Sequence, residues 1–187
     1  MPSLRLQTPR LLLRPFQPRD LDDLLAARSR PEVVRYLYAD VLDRRSGADW
    51  LRRAMVQDRL VSPGDVLSLA VEHEGRVIGD VLLRWASGEH RQGEIGFVFD
   101  PDAGGRGYAT EAVAAVLELA FSGVRLHRVF GQCDARNTAS ATLMTRLGMR
   151  REAHLRENEW VKGEWTDELV FGVLAPEWFS HASPPTA

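Results

Sequence analysis

The stretch best equipped for chemistry is Asp100-Pro101-Asp102-Ala103-Gly104-Gly105-Arg106-Gly107-Tyr108-Ala109-Thr110-Glu111-Ala112. It reads as a strand end, a glycine-rich turn and a helix start. Such a turn gathers backbone N–H groups into one concavity, and the helix N-terminus adds partial positive charge. Phosphate oxygens can bind there without a lysine. Glycine suits the turn because phosphate approaches the backbone closely and because left-handed dihedrals cost glycine little. Two nucleotide readings fail. A P-loop requires Gly-Lys-Ser/Thr, but Gly107 is followed by Tyr108 and Ala109. A dinucleotide fingerprint requires a third glycine or alanine where Thr110 stands, and it should open an early βαβ unit, whereas hairpin-like sequence precedes this turn. By itself the turn is equally consistent with glycines that serve turn geometry alone.

Other reactive side chains have plainer readings. Asn137 is a good helix cap and Ser140 a small residue in the following first turn. Cys133 sits in an apolar stretch with no histidine at useful spacing, which suits a small core residue. His127, beside Arg128, reads as a loop or strand-edge residue. The five histidines lack metal-ligand spacing, so no metal is expected. Trp160 and Trp165 flank a turn and suit core packing or strand pairing.

The elements around these residues follow from periodicity. Leu4 to Arg14 alternates and predicts a first strand. Asp20 is expected to cap a helix with Leu21, Leu24 and Leu25 on one face, Pro31 to open a short helix, and Ser46 to begin a third. Val66–Val71 and Val77–Trp85 form a predicted hairpin, followed by a strand over Gly93–Phe99. The helix after the glycines carries an apolar stripe from Ala109 to Ala120, with Glu111 at its positive end. A strand over Arg128–Cys133 leads to a helix that Asn137 opens and Gly148 closes. Strands over 151–161 and 167–174 end the domain. Residues 1–179 read as a single domain, and 180–187 as a disordered tail.

Composition narrows the class. A chain of 187 residues with 44% hydrophobic and 27% charged residues suits one globular domain. A net charge of −2 offers no long-range attraction to nucleic acid or an anionic membrane, so neither partner is expected. One cysteine excludes an intrachain disulfide and fits a cytoplasmic protein. No apolar run approaches the ~20 residues of a membrane span. Edge strands near the C-terminus would allow a homodimer without requiring one.

Five segments, in order, resemble the GNAT superfamily of N-acetyltransferases, and most closely its RimJ/RimL-type branch of protein N-terminal acetyltransferases. They are LQTPRLLLRPFQPRD, GEIGFVFDP, GGRGYATEA, ARNTASATLMTRLGMRREA and VKGEWTDELVFGVLAPEW. The resemblance implies an α+β fold with a twisted mixed sheet, helices on both faces and an acyl-CoA cleft where two central parallel strands splay. It implies acetyl-CoA as co-substrate, with the pyrophosphate on backbone N–H groups from Gly105 through Arg106, Gly107, Tyr108 and Ala109 to Thr110. Arg106 would add charge. The backbone of Phe97, Val98 and Phe99 would pair with the pantetheine arm, and the Asn137 amide would lie near it. The Ser140 hydroxyl would hydrogen-bond the departing sulfur. Glu94 and Glu159 are the candidate bases. One departure stands out: Asp102 occupies a loop position where the family carries Gln or Arg, and an acid pointing inward would oppose phosphate.

The implied reaction is direct acetyl transfer to a primary amine, with a protein N-terminal α-amine favoured by the branch. The alternatives are a small-molecule amine, a donor such as succinyl-CoA with Arg35, Arg84 or Arg91 facing its carboxylate, or a non-catalytic acyl-CoA-binding module. The segment 28–60 that should choose the acceptor carries no readable motif.

Overall fold

The computed structural model describes residues 4–182. Strict alternation organises its centre. In β3 (Val66–His73), Leu67, Leu69 and Val71 point to one face, while Ala70 points to the other. Both faces therefore need cover, and helices supply it on each side.

The sheet has eight strands in the order β1-β2-β3-β4-β5-β6-β8-β7. They are β1 (Leu6–Gln7), β2 (Leu12–Pro15), β3, β4 (Arg76–Ser87), β5 (Gln92–Phe99), β6 (Arg128–Asp134), β7 (Arg150–Val161) and β8 (Glu164–Leu174). Among the described residues only β5 and β6 run parallel; the other neighbours are antiparallel. The helices are α1 (Leu21–Arg28), α2 (Pro31–Val34), α3 (Arg44–Met55), α4 (Tyr108–Glu118), α5 (Thr138–Arg146) and α6 (Ala175–Ala182). The larger core joins α4 and α5 to one face through Ala112, Val113, Val116, Leu117, Met144 and Leu147. The smaller joins α1 and α3 to the other through Leu24, Leu51 and Ala54, which meet Ala70 and Val77. Each fully buried Leu or Val adds about 1.5–3 kcal/mol relative to exposure.

Several local expectations are corrected. The strand expected over Leu4–Arg14 is two strands. Pro9 cannot donate a ladder bond, and Thr8 and Leu11 close a turn there, Thr8 N–H to Leu11 O at 3.0 Å and Leu11 N–H to Thr8 Oγ1 at 2.9 Å. Asp20 makes no side-chain cap to α1. Its carboxylate instead takes the guanidinium of Arg14 at 2.8 and 2.9 Å. Helix α3 starts at Arg44, capped by Asp43, which accepts the Ser46 N–H at 2.7 Å. The last strand begins at Glu164 rather than 167, and a helix that periodicity left unread, α6, follows it. The tail expected from Ser180 thus begins inside α6, while residues 183–187 lie outside the described residues.

Candidate active site

The glycine turn has the geometry of an anion cradle. A short 3-10 turn over Pro101–Ala103 ends β5, with the Asp100 carboxylate accepting the Asp102 N–H at 3.0 Å. Gly105 and Gly107 then adopt φ of +74° and +79°, a region costly for residues with a Cβ. Helix α4 begins at Tyr108, and its first intrahelical bond runs from Glu111 N–H to Gly107 O. The N–H groups of Tyr108, Ala109 and Thr110 therefore have no partner within the helix.

Two acids flank this cradle, and each is held by an arginine. Asp102 turns out of the loop toward Arg30, whose Nη1 and Nη2 donate at 3.0 and 2.6 Å. These bonds hold its carboxyl below the usual aspartate range. Glu111 accepts from Thr8 Oγ1 at 2.7 Å and from Arg10 Nε at 2.6 Å. Burial would raise its pKa, but these hydrogen bonds outweigh burial and lower it.

The cleft forms because β5 and β6 pair only at their beginnings, Gln92–Glu94 against Arg128–Phe130. Beyond Glu94 the two strands separate. The Asp100 N–H bonds to Ile78 O on β4 at 2.9 Å. Alternation therefore turns the N–H and C=O of Phe97 and Phe99 toward the open edge, and those of Val98 toward β4. Of the three residues expected to offer backbone groups, Phe97 and Phe99 have them on the cleft side, beyond the last β5–β6 pair among the described residues.

Across the gap, α5 opens with Asn137, whose Oδ1 accepts the Ser140 N–H at 3.1 Å. At its other end Gly148 adopts φ of +79°, and Met149 N–H bonds Met144 O at 3.1 Å, the six-to-one bond of a glycine C-cap. Ser140 is half-buried, and its hydroxyl has no hydrogen-bond partner among the described residues.

The opposite face of the gap is acidic. Leu169, Phe171 and Val173 of β8 enter the large core, so Glu168 points the other way, on the face shared by Glu94 of β5 and Asp134 of β6. Glu94 is tied to Arg84 by an ion pair. Glu159 is half-buried on β7, with Asn158 Nδ2 at 3.5 Å. Glu168, only 6% exposed, accepts from Asn158 Nδ2 at 2.9 Å. Burial pushes its carboxyl above the ordinary value, and the charges of Glu159 and Glu94 add to that. Sequence reading passed over Glu168; the strict alternation with Leu169, Phe171 and Val173 was the one signal that marked it as inward-facing on the second side. An open pocket of about 410 Å³ lies on this side between α2 and the β7–β8 turn, with Val34, Arg35, Val41 and Lys162 in its wall. Lys162 Nζ donates to Val34 O at 2.6 Å and ties the turn to α2.

A model of the acetyltransferase (GNAT) domain matches residues 10–150, most of the chain, including the cradle, β5, β6 and α5. The chain belongs to the GNAT acetyltransferase family. It is 30% identical over 175 residues to the uncharacterized N-acetyltransferase YnaD of Bacillus subtilis, covering 94% of this chain and 99% of that protein. A GNAT-family acetyltransferase structure from Bacillus anthracis superimposes with a TM-score of 0.83 at 28% identity, covering 92% of this chain and 99% of the other. A spermidine N-acetyltransferase from Vibrio cholerae, solved with CoA and spermine, shares the fold at a TM-score of 0.77 and 20% identity, covering 92% and 99%. GNAT acetyltransferases use acetyl-CoA and an amine acceptor.

The other reactive groups of this GNAT acetyltransferase have plainer surroundings. Burial raises the Cys133 thiol to about 11, so little thiolate forms near neutrality. Trp160 and Trp165 pair edge-to-face across β7 and β8, ring centroids 5.3 Å apart, but are 59% and 58% exposed, which corrects the core-packing expectation and keeps strand pairing. Arg84, considered for a donor carboxylate, is occupied by Glu94. Among the described residues, no group of three or more His, Cys, Asp or Glu is placed to hold a metal ion, and no helix is long and apolar enough to cross a membrane.

Proposed function

We propose that this protein transfers the acetyl group of acetyl-CoA directly to a primary amine, and that the acceptor is a protein N-terminal α-amine. The observation that carries this reading is the gap between β5 and β6, which joins two chemically different faces. On one face lie the anion cradle and Ser140; on the other lie Glu168 and the pocket beside α2.

Acetyl-CoA would place its pyrophosphate on the N–H groups from Gly105 to Thr110 and its pantetheine amides against the free edge of Phe97 and Phe99, with the Asn137 amide beside the same arm. The amine would enter from the acidic face. Its nitrogen attacks the thioester carbonyl carbon, the C–S bond breaks, and the amide remains on the acceptor. The Ser140 hydroxyl donates to the departing sulfur, which needs only modest help because a thiol near 8.5 is a fair leaving group. Glu168 takes the ammonium proton, a role its elevated carboxyl suits better than the ion-paired Glu94 or the half-buried Glu159. An α-amine at about 7.7–8.0 is partly neutral near neutrality, so a weak base suffices, whereas a lysine at about 10.4 would need much more. The single Cys133 is unpaired, which suits the reducing cytoplasm where we place the reaction.

A second reading, a small polycationic amine, is favoured by the acids Glu94, Glu159 and Glu168 on one face and by the spermine bound to the Vibrio cholerae protein. The pocket wall sets Arg35, Arg136 and Lys162 against Asp40 and Glu164, a small positive excess that weighs against a polycation. The test is thiol release from acetyl-CoA with free-N-terminal peptides, their N-blocked lysine-containing counterparts, spermidine and spermine. Turnover with only the free-N-terminal peptides supports the first reading. Turnover with the polyamines replaces it, and no turnover with any amine overturns both.

A further inference from the structure

The turn between β1 and β2 lies against the glycine loop although nearly a hundred residues separate them in sequence. Thr8 Oγ1, Arg10 N and Arg10 Nε all donate to the Glu111 carboxylate, at 2.7, 3.0 and 2.6 Å. Arg10 Nη1 donates to Arg106 O at 2.9 Å, inside the loop itself. The Arg10 guanidinium lies 4.8 Å from the centre of the Tyr108 ring, over its face. The Tyr108 hydroxyl is 2.8 Å from His73 Nε2, and His73 Nδ1 donates to Arg10 O at 3.1 Å. One arginine thus touches the loop, the first residue of α4 and the acid of its first turn.

We infer that Arg10 is a positioning residue for the cofactor's diphosphate. Glu111 sits where the helix N-terminus should attract an anion, and its negative charge opposes that attraction. Arg10 cancels the charge. By drawing the Arg106 carbonyl to itself, it also fixes the peptide plane that presents the Gly107 N–H, and so leaves donors rather than acceptors facing the phosphates. This rests on the acetyl-CoA reading above.

The experiment compares acetyl-CoA with S-acetylpantetheine, which carries the same thioester and no phosphate, as donors for wild type, Arg10→Met, Arg10→Lys and Arg10→Met/Glu111→Gln. Losing a charge-assisted contact at this strength should raise the KM for acetyl-CoA by about 10- to 100-fold in Arg10→Met. The kcat/KM for S-acetylpantetheine should stay within about twofold of wild type. Arg10→Lys should fall between, because lysine keeps the charge and loses the fork. The double variant should recover part of the lost affinity, since no uncancelled acid remains. Should Arg10→Met melt below assay temperature, the lysine and double variants carry the comparison. Equal losses with both donors, or an unchanged KM for acetyl-CoA, overturn the inference while leaving the reaction standing. A wild type that binds no CoA at all overturns the reading of the loop instead.

Discussion

Arg30, the residue just before α2, holds Asp102 of the glycine turn by two parallel hydrogen bonds of 3.0 and 2.6 Å. The acid at the least favourable loop position is thereby turned outward and neutralised. Cofactor affinity should then be insensitive to the acid itself and sensitive to its partner. Asp102→Asn should leave the KM for acetyl-CoA within about twofold, whereas Arg30→Ala, which frees a carboxylate beside the cradle, should raise it by about three- to tenfold at low salt and less at high salt. Steady-state kinetics at two ionic strengths reads both effects.

Ser140 and Asn137 belong to one turn but should fail differently. Ser140→Ala removes the hydroxyl proposed to donate to the leaving sulfur and should lower kcat about 10- to 100-fold with little change in KM for acetyl-CoA. Asn137→Ala removes the cap that accepts the Ser140 N–H at 3.1 Å, and should cost about 1 kcal/mol of stability in urea unfolding.

As the proposed base, Glu168 should link pH to both stability and rate. Its carboxyl titrates above the ordinary 4.5 because burial, and then the charges of Glu159 and Glu94, disfavour ionisation. A raised acid favours folding while protonated, and that contribution is lost as pH rises from about 4.5 through the elevated value. Glu168→Gln keeps an oxygen for Asn158 and removes the ionisation. Its melting temperature should match wild type near pH 4 and exceed it increasingly toward pH 7. Over the same range kcat should fall by about 10²-fold or more and lose its acid limb. A melting difference independent of pH would refute this account.

The Arg14 fork is a stability element remote from the chemistry. Arg14 is 2% exposed and bound by Asp20 at 2.8 and 2.9 Å and by Glu72 at 2.7 Å. Asp20→Ala would leave that buried guanidinium with Glu72 as its carboxylate partner and should cost about 3 kcal/mol, visible as a lower urea midpoint at unchanged slope.

The sequence by itself determined the parts of this protein that are local. Alternation placed the β3–β4 hairpin and β5, the glycines at 105 and 107 placed the cradle, and Asn137 and Gly148 marked the two ends of α5, because each depends on dihedral preference or periodicity within a few residues. The same local reading joined β1 to β2, assigned Asp20 as a cap and left α6 unread, since those outcomes depend on partners elsewhere. Only the tertiary structure decided how charges are matched. Asp102 meets Arg30, Glu111 meets Arg10 and Glu94 meets Arg84, while Glu168 is left buried beside Asn158. The residues that make these acids inert or reactive come from other elements. A carboxylate's role is set by the dielectric and the donors around it, and those exist only once the strands have paired.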